Sequence, residues 1–137
     1  MVHAPVNFAE RTWRWHGTIP GDPVAKPRMT RRDVWKRRPC VVAYRAWADR
    51  ARRVVPVDVR LSSTHLRAEV YLPIPASWSQ KKRRAAQGSA HYSKPDWDNL
   101  GKAISDALFL DDARICFGAI AKYWDDGKGP RVEVYLT

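Results

Sequence analysis

The stretch KPDWDNLGKAISDALFLDD, residues 94–112, decides the fold and concentrates the acidic side chains of the chain. Five of the 14 acidic residues lie in it, whereas the whole chain carries a formal net charge of +11. Crowded carboxylates repel one another and raise each other's pKa unless a cation lies between them. Hard oxygen ligands suit Mg²⁺ or Mn²⁺. The stretch therefore predicts a divalent-metal site.

The spacing within this stretch predicts how the carboxylates are arranged. Asp96 and Asp98 are two residues apart, so their side chains would point to the same side of an extended segment. Asp98 is then predicted to be the N-cap of a helix that begins near Asn99. Apolar residues at four-residue steps form the buried stripe of that helix: Leu100, Ile104 and Leu108.

A second acidic pair, Asp111 and Asp112, follows the predicted helix in a loop. Ten helical residues rise only about 15 Å, so this pair must fold back to join the first. Lys102 is expected to serve the site, to form an ion pair with Asp106 four residues on, or to do both. An isolated Asp-x-Asp is typical of a helix cap and an isolated Asp-Asp of a turn, but the joint pattern with Asn99 and Lys102 favours a catalytic site.

The motif Lys-Pro-Asp-x-Asp-Asn-Leu-x-Lys, followed by Asp-Ala-Leu, by Asp-Asp-x-x-Ile and by a Lys in the next strand, resembles the RusA family of Holliday-junction resolvases. The matching positions are 94–102, 106–108, 111–115 and Lys122, with a looser match over 21–28. The resemblance implies a small, dimeric DNA endonuclease that uses Mg²⁺, for which Mn²⁺ can substitute, and that is often phage- or prophage-borne. It also implies a RusA-like domain over residues 11–137.

The resemblance further implies the roles of individual residues. The catalytic, metal-binding aspartates of the family carry over onto three positions: Asp96, Asp98 and Asp112. The essential lysine of the family carries over onto Lys102. We expect three polar neighbours to orient the metal-binding carboxylates by hydrogen bonds, without binding the metal themselves: Asn99, Asp106 and Asp111. The implied function is paired, symmetric nicking of Holliday junctions in recombination and repair, which suits a two-fold symmetric dimer.

The composition narrows the class of protein. A chain of 137 residues, 45% hydrophobic with seven Trp, is typical of one globular domain. A pI near 10.2 favours a polyanionic partner, nucleic acid first. The absence of a long apolar run and of a secretory signal predicts no membrane span and a cytoplasmic location, in a bacterium or a phage-infected cell. Cys40 and Cys116 match no zinc spacing and are expected to be free thiols.

Periodicity along the rest of the chain predicts an α+β domain, with one mixed sheet and helices packed against it. Strands are predicted at four ranges: 12–19, 66–74, 115–124 and 131–136. Helices are predicted over 41–54 and, in part, 79–87. Residues 1–10 are interpreted as a flexible tail, and residues 125–129 as a hairpin turn between the last two strands.

Two basic segments, residues 21–38 and 76–94, are candidate DNA contacts. In the second segment, Trp78 is interpreted as an exposed aromatic that stacks on or wedges between bases. Each segment taken alone is also typical of a solvated loop. The predicted DNA-binding residues are Lys26, Arg28, Arg31, Arg32, Trp78, Lys81, Lys82, Arg83, Arg84, Lys94 and Lys122.

Three alternatives stay open at this point. Asp126-x-Lys128 mimics the motif of restriction-type nucleases, although it lies in Gly-rich turn sequence rather than on a strand edge. A nucleic-acid-binding module without chemistry would use its aspartates only as caps and turns. A general nuclease of branched DNA or RNA would share the same metal site, and the sequence does not distinguish junctions from flaps or forks.

Overall fold

A computed structural model describes residues 12–137, so the tail predicted at residues 1–10 lies outside the described residues. The strands are β1 (Trp15–Pro20), β2 (His65–Leu72), β3 (Phe117–Trp124) and β4 (Arg131–Leu136). The helices are α1 (Pro39–Val54), α2 (Val57–Ser62), α3 (Gln80–Ala86) and α4 (Trp97–Leu108), with 3₁₀ turns at Arg31–Val34 and Asp112–Arg114. The predicted α+β class, with one mixed sheet, is confirmed.

The four strands lie in the order β1-β4-β2-β3. β4 pairs antiparallel with both β1 and β2, whereas β2 and β3 are parallel. A parallel pair needs a long crossover, and here the crossover carries α3, α4 and the acidic stretch. The topology therefore brings the acidic stretch back onto the sheet beside β3.

The hairpin predicted between the last two strands is wrong, because β2 lies between β3 and β4. The turn chemistry is nevertheless present. One carboxylate oxygen of Asp125 accepts hydrogen bonds from the backbone N–H groups of Gly127 and Gly129, at 3.2 and 3.0 Å. Both glycines have positive φ, 97° and 100°, which suits residues without a Cβ. A local turn thus reverses the chain without deciding which strands pair.

The core lies between the sheet and two packed helices, α1 and α4. The side chains of β2 alternate between buried and half-buried positions, as expected for a strand with one face on the core. The predicted stripe of α4 is confirmed, since Leu100, Ile104 and Leu108 are each 1% exposed. Burying each such side chain contributes about 1.5–3 kcal/mol. These contacts fix the rotation of α4 and keep its polar face at the surface.

No helix within residues 12–137 is both long and apolar enough to cross a membrane. Cys40 and Cys116 are free and exposed.

Candidate active site and nucleic-acid interface

The acidic stretch opens α4, which begins two residues earlier than the sequence predicts. Asp96, rather than Asp98, is the N-cap residue, and Trp97 is the first residue of the helix. The indole Nε1 of Trp97 donates to the carbonyl oxygen of Ile120 in β3 at 2.6 Å, which ties this first residue to the sheet. Asp98 lies in the first turn, where the helix dipole favours a carboxylate. The extended Asp-x-Asp geometry is therefore replaced by a helical one.

The loop before Asp96 is held by Lys122 of β3. The ammonium group of Lys122 donates to the carbonyl oxygens of Ser93 and Pro95, both at 2.7 Å. The backbone N–H of His91 donates to the carbonyl oxygen of Lys122 at 3.1 Å. Lys122, which the sequence suggests as a DNA contact, is thus placed where it positions the loop that delivers Asp96.

One face of α4 carries Asp98 near its start and a contact to Asp112 near its end. Asp98, Lys102 and Ser105 follow one another at steps of four and three, so they share a face. The hydroxyl group of Ser105 donates to Asp112 Oδ2 at 3.3 Å, which draws the second acidic pair onto that face. Asp111 accepts from the backbone N–H of Ala113 at 3.0 Å and caps the second 3₁₀ turn. Asp112 is thus held against the second half of the helix, but among residues 12–137 the two acidic pairs do not join in one group of three or more carboxylates.

Lys102 does not form the ion pair that the sequence suggests. The carboxylate of Asp106 binds the ammonium group of Lys26 instead, and among residues 12–137 Lys102 makes no ion pair. The Lys26–Asp106 pair holds the first basic segment against α4. A groove of about 450 Å³ lies between the first basic segment and α4, and its lining includes Lys26, Arg28, Asn99 and Lys102. Lys102, without an ion-pair partner among residues 12–137, therefore borders a basic groove together with Asn99, the sequence neighbour of Asp98.

The donor chemistry suits a hard divalent ion. Within residues 12–137, no group of three or more His, Cys, Asp or Glu side chains lies close enough together to hold a metal. Seven residues separate Asp98 from Ser105, a rise of about 10 Å along the helix. Mg²⁺ is usually bound through one or two carboxylates plus phosphate oxygens of the substrate. Asp96 and Asp98 offer carboxylate oxygens for this mode of Mg²⁺ binding. The carboxylate of Asp96 contacts the ammonium group of Lys94 at 2.6 Å.

The first basic segment is folded around Asp33 rather than being a plain loop. Asp33 is 4% exposed and accepts from Nε and Nη2 of Arg38, both at 2.8 Å, and from the backbone N–H of Thr30 at 2.6 Å. The Arg38 hydrogen bonds hold the pKa of Asp33 far below its usual range. Two of the predicted DNA contacts in this segment, Arg31 and Arg32, remain exposed.

Trp35 is a candidate DNA contact that sequence reasoning missed. It follows the first 3₁₀ turn and is 72% exposed among arginines and lysines. The available signal was its isolation, because a Trp without apolar neighbours at helical or strand spacing has no core face to join. An exposed aromatic within a basic segment is a common stacking platform for bases.

The second basic segment contains the predicted helix, α3. Its Lys81, Lys82 and Arg84 are exposed, whereas Arg83 is half-buried and donates to the carbonyl oxygen of Pro75 at 2.7 Å. Trp78 is half-buried and not exposed, which corrects the sequence interpretation. The ring of Trp78 packs on that of Trp124, with centroids 4.9 Å apart. Lys82 Nζ lies 3.9 Å from the centroid of the Trp78 ring. The helix α3 therefore presents three exposed cations, and Trp78 packs against Trp124 instead of projecting into solvent.

The family model described as "Endodeoxyribonuclease RusA" matches residues 20–137. The chain belongs to the RusA family. The matched RusA region includes α1 to α4, β2 to β4, both basic segments and the acidic stretch. A relative called "Uncharacterized protein YqaN", from Bacillus subtilis (strain 168), is 32% identical over 133 residues, which cover 87% of this chain and 92% of the relative.

The rival site at Asp126 and Lys128 has a structural explanation in this RusA-family chain. Asp126 accepts from Nη1 and Nη2 of Arg131 at 2.9 and 3.0 Å, and Nε of the same arginine donates to Glu133 at 2.7 Å. The Arg131 hydrogen bonds lower the pKa of Asp126 to about 2. The backbone N–H of Lys128 also donates to Asp126. This carboxylate therefore braces the end of the sheet, which argues against the restriction-type site.

Asp126→Asn is expected to lower the free energy of unfolding at pH 7 by roughly 1–2 kcal/mol and to leave DNA cleavage unchanged. The folded-state pKa of Asp126 is depressed to about 2 from 3.8. Its contribution is therefore present above pH 4 and is lost as the pH falls toward 2. Urea denaturation at pH 7 and pH 2.5 measures the difference, with Asp49→Asn, in an exposed ion pair, as control. An equal loss at both pH values would mean that shape, not charge, carries the effect.

Proposed function

We propose that this protein is a Mg²⁺-dependent, structure-specific DNA endonuclease that resolves four-way junctions by paired symmetric nicks. The observation that carries the proposal is the exposed face of α4. There Asp98 and the unpaired Lys102 share a helix face with Ser105, which binds Asp112, and Lys102 also lines a basic groove. Membership of an endodeoxyribonuclease family supports phosphodiester hydrolysis as the chemistry.

The residues of α4 and its flanks would divide the work of hydrolysis. Asp96, Asp98 and Asp112 would contribute to holding Mg²⁺ or, in its place, Mn²⁺, which supplies Lewis-acid activation of water and phosphate. Substrate phosphate oxygens would complete the coordination, since no three such side chains among residues 12–137 lie close enough together to hold the ion by themselves. The ammonium group of Lys102 would stabilise the negative charge that grows on the scissile phosphate. The Ser105 hydrogen bond orients the carboxylate of Asp112. One water is consumed as one phosphodiester bond breaks into a phosphate and a hydroxyl end.

The basic segments would grip the arms of the DNA. The groove between the first segment and α4, lined by Lys26, Arg28 and Lys102, would offer cations to DNA phosphates. The exposed cations of α3 would give a second contact area. Contacts of this kind fix position on DNA without reading sequence. Specificity for a branched substrate would then come from the geometry of the arms.

A homodimer would complete the reaction. A four-way junction has two-fold symmetry, and a C₂ pair of subunits would present two copies of the α4 face to its two equivalent strands. One subunit acting alone would leave a single nick, which does not resolve a junction. Dimerisation therefore follows from the paired cuts that the proposal requires.

A gel assay tests the proposal with labelled four-way junction, flap, linear duplex and single strand, each with and without Mg²⁺. We expect symmetric cuts in the junction only when Mg²⁺ is present. Equal cutting of all branched or linear substrates would favour a general nuclease. Binding without metal-dependent cutting of any substrate would favour a nucleic-acid-binding module and overturn the proposal.

Lys102→Ala is expected to lower the single-turnover rate of junction cleavage by about 10²-fold, because a positive charge placed at the reacting phosphate is lost. Junction affinity should fall by no more than one phosphate contact would account for. Lys128→Ala, which removes an exposed lysine far from α4 in sequence, is the matched control and should cleave normally. A normal rate for Lys102→Ala would remove Lys102 from the site.

A further inference from the structure

A cavity of about 600 Å³ lies beside the Asp96 loop and has no role in the chemistry proposed above. Its lining comes from the ends of β2 and β3, from the loops that precede α3 and α4, and from the segment that follows β1. It includes Trp78, Trp124, His91, Asp22, Lys94 and Pro95. Lys94 and Pro95 lead directly into Asp96, so the cavity adjoins the catalytic loop.

The walls of the cavity are flat and aromatic. Trp78 packs against Trp124 at an interplanar angle of 60°, and the His91 ring lies 4.0 Å from that of Trp124. Leu72 and Pro73 add apolar surface. Aromatic and apolar walls of this kind accept planar rings, whose faces are apolar. The walls alone would suit many planar ligands.

The polar groups of the cavity narrow the choice. His91 is 5% exposed, and its Nδ1 accepts from the backbone N–H of Ser93 at 3.3 Å. Burial and the nearby charge of Lys122 lower the pKa of His91, so the ring is neutral and Nε2 carries the proton. The carboxylate of Asp22 is an acceptor. A flat ligand with both donors and acceptors on its edge matches this set, and a nucleobase has that edge.

The surroundings of the cavity point to a base that is attached to DNA. Lys82 lies over Trp78, and Lys94, which also contacts the carboxylate of Asp96, lines the cavity itself. Two lysines are therefore available beside the cavity for the phosphates of a bound nucleotide. At a branch point, bases are more easily unstacked than inside a duplex, and unstacking costs least where pairing is already broken. The branched substrate therefore supplies a ligand of the required chemistry.

We propose that the cavity takes one unstacked nucleobase of the branched DNA, from a nucleotide next to the phosphate that is cut. The inference rests on the proposed function, which supplies the substrate. Asp22 would accept from an exocyclic amino group, which adenine, cytosine and guanine have and thymine lacks. The cavity would then contribute base preference that phosphate contacts do not give.

The test combines a DNA change with a protein change. Single abasic sites are placed in turn at the two nucleotides on each side of the cut phosphates, and junction affinity is measured by anisotropy in Ca²⁺, without cleavage. One abasic position should weaken binding of the natural chain about tenfold. The same abasic site should not weaken binding by the Trp78→Leu variant, because that variant already lacks one aromatic wall of the cavity. Trp13→Leu, which disrupts a tilted aromatic pair with Tyr135, is the matched control and should stay sensitive.

A second variant tests the cavity without disturbing the packing of Trp78 on Trp124. Asp22→Asn replaces an exposed carboxylate, and it should abolish the discrimination against thymine at the sensitive position. If every abasic junction binds the natural chain and Trp78→Leu with the same relative loss, the cavity holds no base and the inference is overturned. Junctions that are bound with this base dependence but never cut in Mg²⁺ would support the cavity and overturn the proposed function. A chain that binds no junction would overturn both.

Discussion

Asp98→Asn is expected to slow junction cleavage in Mg²⁺ by at least about 10²-fold, because it removes the charge of a metal-binding carboxylate from the first turn of α4. The side chain keeps its shape, and the lost interaction with the helix dipole is only about 0.3–1 kcal/mol, so the fold should persist. Affinity for the junction should stay equal or rise, since a negative charge facing phosphate is gone. Single-turnover rates in Mg²⁺ and anisotropy in Ca²⁺ separate the two effects.

Two further variants show whether the effect belongs to the site. Asp112→Asn should reduce cleavage in the same way, because Ser105 holds Asp112 on the same face of α4. Asp49→Asn removes an exposed carboxylate from α1 and should cleave normally. Near-normal cleavage by both Asp98→Asn and Asp112→Asn would show that the active-site assignment is wrong.

The second large effect concerns DNA affinity. Replacing all four basic residues of α3 with alanine should reduce the slope of log affinity against log salt by about 2 to 3. The replaced residues are Lys81, Lys82, Arg83 and Arg84. Three of them are exposed, whereas Arg83 is tied to the carbonyl oxygen of Pro75, which is why the expected change is smaller than four contacts would give. Anisotropy titrations of a junction in Ca²⁺ between 50 and 200 mM salt measure the slope.

A control variant separates local contact from overall charge. Arg53→Ala combined with Lys128→Ala removes two exposed cations outside both basic segments, and it should leave the slope nearly unchanged. An unchanged slope for the fourfold α3 variant would exclude α3 from the DNA footprint. An equal change per charge in both variants would mean that net charge alone sets the affinity.

The sequence predicts most of the elements, because apolar periodicity directly reports which faces are buried. The stripe of α4 and the alternation of β2 are both confirmed. Strand pairing is harder to predict from sequence. The turn after β3 specifies only a local reversal of the chain, whereas the strand that pairs with β3 is β2, far upstream in the sequence. The short helix α2 was missed because its six residues have no buried side chain and so carry no periodic signal.

The site residues stay a prediction, and the structure tests only where they lie. Asp98 and Lys102 are exposed on α4, and Asp112 contacts Ser105 of the same helix without joining Asp96 and Asp98 in one group. The exact start of α4 could not be inferred, because Asp96 and Asp98 are equally good caps and the choice is made by Trp97, which bonds to β3. Partners distant in sequence, such as Lys26 for Asp106, depend on the tertiary fold in the same way.

The position of β4 in the sheet has a consequence for biosynthesis. β4 is made after the other three strands, yet it joins β1 to β2 and β3. While the ribosome is still adding residues before 131, β1 has no neighbour in the sheet, and the layer that supports α1 and α4 is incomplete. Such long-range pairing slows folding, and completion must wait for the final strand. A nascent chain that already carries both basic segments therefore cannot yet hold the complete sheet, since β1 still lacks its neighbour β4.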